Sequence, residues 1–180
     1  SRRKRIKHAA DRRFFVLLAM IAAEEDFMKI AVAGILVFEW KALLLHRTEP
    51  PVCWGPPGGE LKDDESFTDG LKREVFEETG LECTVVMPVE TWAGMHDDLP
   101  MQSITFICEC NDSDVTLSEE HDAFCWVPFN ELSKWKDRTD FDVALWGDYI
   151  RTAIYHKNLS GMQIELDQAV AYDFGGCEPL

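Results

Sequence analysis

Within residues 59–81, GELKDDESFTDGLKREVFEETGL, three glutamates fall at offsets of 0, 3 and 4: Glu74, Glu77 and Glu78. On a helix that spacing puts all three carboxylates on neighbouring parts of one face. Unopposed like charges so placed cost an isolated helix roughly 0.2–0.5 kcal/mol per pair. A divalent cation would reverse the balance, since magnesium takes oxygen ligands in near-octahedral array. Glu74 and Glu78, one turn apart, can grip the same ion, with Glu77 beside them for a second. Gly58 and Gly59 let the backbone approach closely, which makes the Gly59 carbonyl another candidate ligand. Gly70, four residues before Glu74, is expected to keep that face open. Glu65 precedes the helix and Arg73 sits within it, so a salt bridge between them would fix loop against helix. The competing reading of three helical glutamates is a solvated face.

Positioning these groups requires a helix with a buried side and a scaffold under it. Phe67, Leu71 and Val75 recur every four residues and predict the buried stripe. Ser66 or Thr68 is the expected cap, Ser66 and Asp69 forming a capping-box variant, and Gly80 ends the helix. Residues 28–38 and 41–47 read as neighbouring strands with a turn at Glu39 and Trp40. The following PPVCWGPPGGE, rich in proline and glycine, is expected to be irregular. Two more strands are predicted over 82–93 and 101–110, joined by a polar loop, and a shorter one over 123–129. A helical turn or two over 130–136 and a longer helix over 141–157 complete the pattern. Mixed strands and helices without strict alternation indicate an α/β or α+β layered fold.

The composition, 46% hydrophobic and 28% charged, is that of a soluble globular protein. Its 180 residues suffice for one domain with its own core. The net charge of −15 is unevenly spread: residues 1–27 carry seven Arg/Lys against four Asp/Glu, so the rest is more acidic still. A surface of that sign disfavours nucleic-acid binding. Cys53, Cys83, Cys108, Cys110, Cys125 and Cys177 contain no CxxC pair, so reduced thiols in a cytoplasmic protein are expected. Cys108 and Cys110 share one strand face and are expected to pack.

Residues 1–27 run from a basic cluster into ten apolar residues, too few to span a bilayer. Their order is similar to that of a secretory or twin-arginine signal. Two other readings are preferred: a helix packed on the domain or on a second protomer of a homodimer, and an extension ahead of a start at Met28. The expected organisation is a basic/apolar, helical extension over 1–27, a hydrolase domain over 28–157, and a tail over 158–180 with a last strand at MQIELDQAVAY. No membrane association is expected.

The 59–81 segment resembles the signature of the Nudix hydrolases through Gly59, Glu65, Arg73, Glu74, Val75, Glu77, Glu78, Gly80 and Leu81, with no departure. Such a match arises by chance about once in ten million chains of this length, from average residue usage. Trp54 with Pro57-Gly58-Gly59, and Glu120-His121 followed by Trp126-Val127-Pro128, also resemble the family's flanking stretches. The resemblance spans about residues 28–157. It implies an α/β fold, an α/β/α sandwich around a mixed sheet, with the signature as loop–helix–loop. It also implies hydrolysis of a diphosphate linkage in a nucleoside diphosphate joined to a group X, with Mg2+, or Mn2+, as cofactor. Catalytic roles are implied for Glu74, Glu77, Arg73 and Glu120, and metal binding for Glu74, Glu77, Glu78 and Gly59. Glu74 is the first choice of general base and Glu120 the second. Glu65 is implied to be structural support.

Outside the signature the residues have blander competitors. Arg47 is a candidate phosphate contact and Trp54 a candidate base-stacking residue, against a surface charge and a structural tryptophan. Glu119, Glu120 and His121 also read as an exposed acidic turn, and His46 and His96 as surface or packing residues. No motif specifying X is complete. The working substrate is a (deoxy)nucleoside triphosphate, a small-molecule nucleotide. The alternatives are ADP-ribose or a nucleotide sugar and, in another class, a non-catalytic Nudix module that binds nucleotide or protein.

Overall fold

The computed structural model describes residues 28–96 and 99–155. The extension over 1–27 and the strand expected after residue 157 lie outside the described residues, as do Cys177 and the loop pair 97–98.

Two apolar strands form the centre. β1 (Lys29–Phe38) turns at Glu39 and Trp40, whose φ values of 43° and 66° give the left-handed turn a two-residue hairpin needs, into β2 (Lys41–Arg47). Their alternating side chains build two cores at once. Ile35, Val37, Ala42 and Leu44 face one layer; Val32, Leu36, Leu43 and Leu45 face the other.

The proline- and glycine-rich stretch is more ordered than its composition predicts. It forms β3 (Trp54–Gly55), paired with Leu45 and His46 of β2, and β4 (Gly58–Glu60), paired with Ala31–Ala33 of β1. Tertiary pairing overrides local preference here. β2 covers only the far end of β1 and leaves the edge at 31–33 open to β4. Gly58 is required at that seam, because a Cβ there would stand 2.1 Å from the Val32 carbonyl oxygen.

α1 (Phe67–Thr79) follows, then the hairpin of β5 (Cys83–His96) and β6 (Leu99–Cys110). Both strands run further into the 94–100 region than the sequence predicts, because they pair with each other as far as His96 and Leu99. β6 runs parallel to β1 and the other pairings are antiparallel, so the sheet is mixed, with path β3-β2-β1-β6-β5. β7 (His121–Pro128) adds to β2. A 3₁₀ segment (Phe129–Arg138) and α2 (Val143–Tyr155) close the described chain.

The layers make an α/β/α sandwich. α1 contributes Leu71 and Val75 to one face, and α2 seats Trp146, Ile150 and Ala153 on the other. Among the described residues no helix is long and apolar enough to cross a membrane.

Candidate active site

Ser66 caps α1: its Oγ accepts from the Asp69 N–H at 3.1 Å and donates to the Asp69 carboxylate at 2.7 Å. Thr68 is therefore not the cap. Gly80, at φ 70°, stops the helix with its N–H on the Phe76 carbonyl. The buried side differs from the predicted stripe. Leu71 and Val75 are buried but Phe67 is exposed and joins neither core; Glu78 and Thr79 are buried instead.

Arg73 organises the helix's polar side. Its Nε and Nη2 donate to the two oxygens of Glu65 at 2.8 and 2.7 Å. Nη1 reaches Glu74 at 2.6 Å and Glu77 at 3.2 Å, and Nη2 also meets the Glu60 carbonyl at 3.2 Å. One guanidinium thus opposes three carboxylates and clamps the 60–65 loop. The Arg73 bonds first, and the Lys62 N–H second, hold Glu65 down to about 2 from its ordinary 4.5. The Glu65 bonds are the main cause of the guanidinium's raised affinity for its proton.

Gly70 has a role different from the one expected. A Cβ there would lie 2.2 Å from Leu61 Cδ2 and 2.9 Å from Glu65 Oε2, so its absence seats the loop against the helix and does not open the carboxylate face. Gly59 is the glycine that faces an acid: a Cβ would stand 2.7 Å from the Glu74 carboxylate.

Glu78 is set apart. It is buried, and its Oε2 accepts the Gly58 N–H at 2.9 Å. Burial is the main cause that pushes it up to about 8; Glu74 and Glu120 add repulsion, while the Gly58 bond and Arg47 oppose the rise. His121 is buried beside it, Nε2 lying 3.9 Å from Glu78 Oε1, and Nδ1 has no hydrogen-bond partner among the described residues. Burial depresses the imidazole's affinity for a proton. The exposed-turn reading therefore fails for His121, while Glu119 and Glu120 are exposed.

The segment before β7 is tied to the helix end. The Thr116 and Ser118 N–H groups donate to the carbonyls of Thr79 and Glu78 at 2.8 and 3.2 Å. Thr48 holds the Glu120 carbonyl through its N–H and its hydroxyl, each at 3.0 Å. Glu120 and Arg47 are thereby brought near Glu78. Trp54 is not: it packs with the α2-side core, its ring 5.1 Å from both His46 and Trp135. His46 bonds Asp122 at 2.6 Å. Sequence reasoning missed the contact of His121 with Glu78 and the Gly58 N–H. Only the Glu120-His121 pair carried any signal for the first.

Among the described residues no three His, Cys, Asp or Glu side chains already converge as a metal cluster. Arg73 engages Glu74 and Glu77, and Glu78 is turned to Gly58. The donor set nevertheless fits a hard cation: a buried carboxylate with acidic neighbours has much to gain from a positive charge, and the Glu74 carboxylate lies directly against the Gly59 backbone.

A mixed sheet between helix layers, carrying loop–helix–loop with this set of acids, defines a Nudix hydrolase. The NUDIX domain family model matches residues 28–146, and the chain belongs to that family. The chain is 31% identical over 115 residues to a "MutT-like protein" of Streptomyces ambofaciens, covering 63% of this chain and 72% of the relative. It is 33% identical over 94 residues to "Nucleoside triphosphatase NudI" of Enterobacter sp. (strain 638), covering 46% and 67%. The crystal structure of a MutT protein from Methanosarcina mazei Go1 superposes with a TM-score of 0.61 at 26% identity, over 69% of this chain and 94% of that one.

Proposed function

We propose that the protein hydrolyses a diphosphate linkage in a small nucleotide, with a (deoxy)nucleoside triphosphate as the substrate, using Mg2+ or, in its place, Mn2+. The observation that carries this reading is the buried Glu78 beside Glu74 and Glu120, behind the glycines of β4. The Enterobacter relative, named a nucleoside triphosphatase, supports the substrate class.

Glu74 and Glu78 would hold the cation, joined by the Gly59 carbonyl and by Glu77 toward a second ion. When bound, the cation supplies charge neutralisation at the phosphates and Lewis-acid polarisation of phosphorus. The chain's own residues do the positioning. Gly58 aims the Glu78 carboxylate, and Arg73 orients Glu74 between loop and helix. Glu74 is the proposed general base and Glu120, on the adjoining loop, the second candidate. Arg47 supplies a cation beside the same acids, where a phosphate would need one. Trp54, enclosed by His46 and Trp135, is proposed to act structurally. The free thiols among the described cysteines fit a reducing compartment such as the cytoplasm.

The test is a substrate panel of nucleoside triphosphates, ADP-ribose and nucleotide sugars, each with Mg2+ and with Mn2+. Preferential turnover of triphosphates supports the proposal. Preference for ADP-ribose or a sugar nucleotide reassigns X, and binding without any turnover would favour a non-catalytic module.

A further inference from the structure

On the side of α1 away from Glu74 and Glu78, the helix meets the start of β5 across a shallow, open cavity of about 480 Å³. Lys72, Arg73, Phe76, Leu81, Glu82 and Cys83 line it. Cys83 brings a half-buried thiol to this opening, and two further cysteines stand behind it. Cys110 lies directly opposite Cys83 in the β5–β6 register, and Cys108 is one same-face position along. Cys108 and Cys110 are buried in the core that also holds Leu71 and Val75, and Cys83 packs against that core.

Their chemistry is unequal. The neighbouring Cys108 thiol is the chief reason Cys83 loses its proton more readily than an ordinary thiol; the Lys72 ammonium adds to this. Burial pushes Cys110 the other way, and burial also raises Cys53 and Cys125. Thiolate character together with access is what makes a cysteine reactive. Directly opposed antiparallel residues have Cα atoms about 4.5–5.5 Å apart, inside the roughly 4.4–6.8 Å span of a disulfide. Diagonal positions, about 7–8 Å apart, fall outside it.

We propose that Cys83 is an oxidation site for hydroperoxides and that Cys110 closes a cross-strand disulfide with it. In the first step the Cys83 thiolate sulfur attacks one peroxide oxygen and the O–O bond breaks. A sulfenic acid forms, and hydroxide or alkoxide leaves to be protonated by water. In the second step the Cys110 sulfur attacks the sulfenic sulfur, and its thiol proton departs with the hydroxyl as water. Two thiols are oxidised by two electrons and one hydroperoxide is reduced. Cys108 orients and activates Cys83 and is not itself linked.

The test uses the reduced full chain, hydrogen peroxide and peptide mapping by mass spectrometry, so neither turnover nor metal loading enters the readout. The expected results are a Cys83–Cys110 linked peptide and the loss of two hydrogens per chain. Under brief iodoacetamide treatment, Cys83 should be alkylated at least about tenfold faster than Cys53, Cys108, Cys110 or Cys125. Cys110→Ser should stall at the sulfenic acid, captured on Cys83 by dimedone. Linkage of Cys83 to another cysteine, or its modification no faster than Cys125 in the unmutated chain, overturns the proposal.

Discussion

The backbone N–H of Gly58 donates to the Glu78 carboxylate at 2.9 Å, joining the seam strand β4 to the last turn of α1. Gln at position 78 keeps the side chain's size and an acceptor for that N–H but cannot carry negative charge. Glu78→Gln should therefore leave the thermal midpoint within a few degrees while kcat falls at least about 10²-fold, since losing even an outer-shell partner of a metal ligand costs about 10–100-fold. Near-normal kcat would remove Glu78 from the proposed cation site.

Chelation tests the same site without mutation. Treatment with EDTA should abolish hydrolysis, and excess Mg2+ should restore it, because oxygen ligands exchange such ions reversibly. A rate indifferent to chelator would overturn the metal-dependent reading.

The Glu65–Arg73 pair predicts a pH dependence of stability. Glu65 titrates near 2 in the folded chain against an ordinary 4.5, so the native state binds the proton more weakly than the unfolded state. Its contribution is fully present above about pH 4.5 and is lost as pH falls toward about 2. Glu65→Gln should lower the urea midpoint at pH 7 and narrow its difference from the unmutated chain across that acid window. Parallel curves from pH 7 to pH 2 would contradict the assignment.

Two glycine substitutions should separate stability from catalysis. An added methyl at Gly70 meets Leu61 at 2.2 Å. Overpacking of that kind costs about 1–3 kcal/mol, offset by about 1 kcal/mol of helix propensity gained by alanine. Gly70→Ala should thus lose up to about 2 kcal/mol by denaturant titration. At Gly59 the neighbour is the end of the Glu74 side chain, which can swing aside. Gly59→Ala should cut kcat at least about tenfold, the effect of displacing a metal-site group, with little change in midpoint. Equal losses of stability in the two variants would show that Gly59 is merely a packing position.

The signature was legible because its chemistry is local. Glu65, Arg73, Glu74, Glu77 and Glu78 lie within one loop and one helix, so spacing alone puts them side by side. The central strands were legible because β1 and β2 are apolar on both faces and joined by a two-residue turn. β3 and β4 were not, since proline and glycine mark disfavour, and what orders those residues is the edges left open along β1 and β2. Phe67 fits the helical stripe as well as Leu71 does, yet it is exposed, because helical spacing does not say whether a partner lies beneath each turn.

The sequence by itself determined the family, the acid set and the pairing of Arg73 with Glu65, since each depends on neighbours a few residues apart. Tertiary structure decided how unlike those acids are. Glu77 stays in solvent, Glu74 is held by Arg73, and Glu78 is buried against Gly58 and His121, contacts 20 and 43 positions away along the chain. Burial and distant charge set a carboxylate's proton affinity, and neither is written in helical spacing.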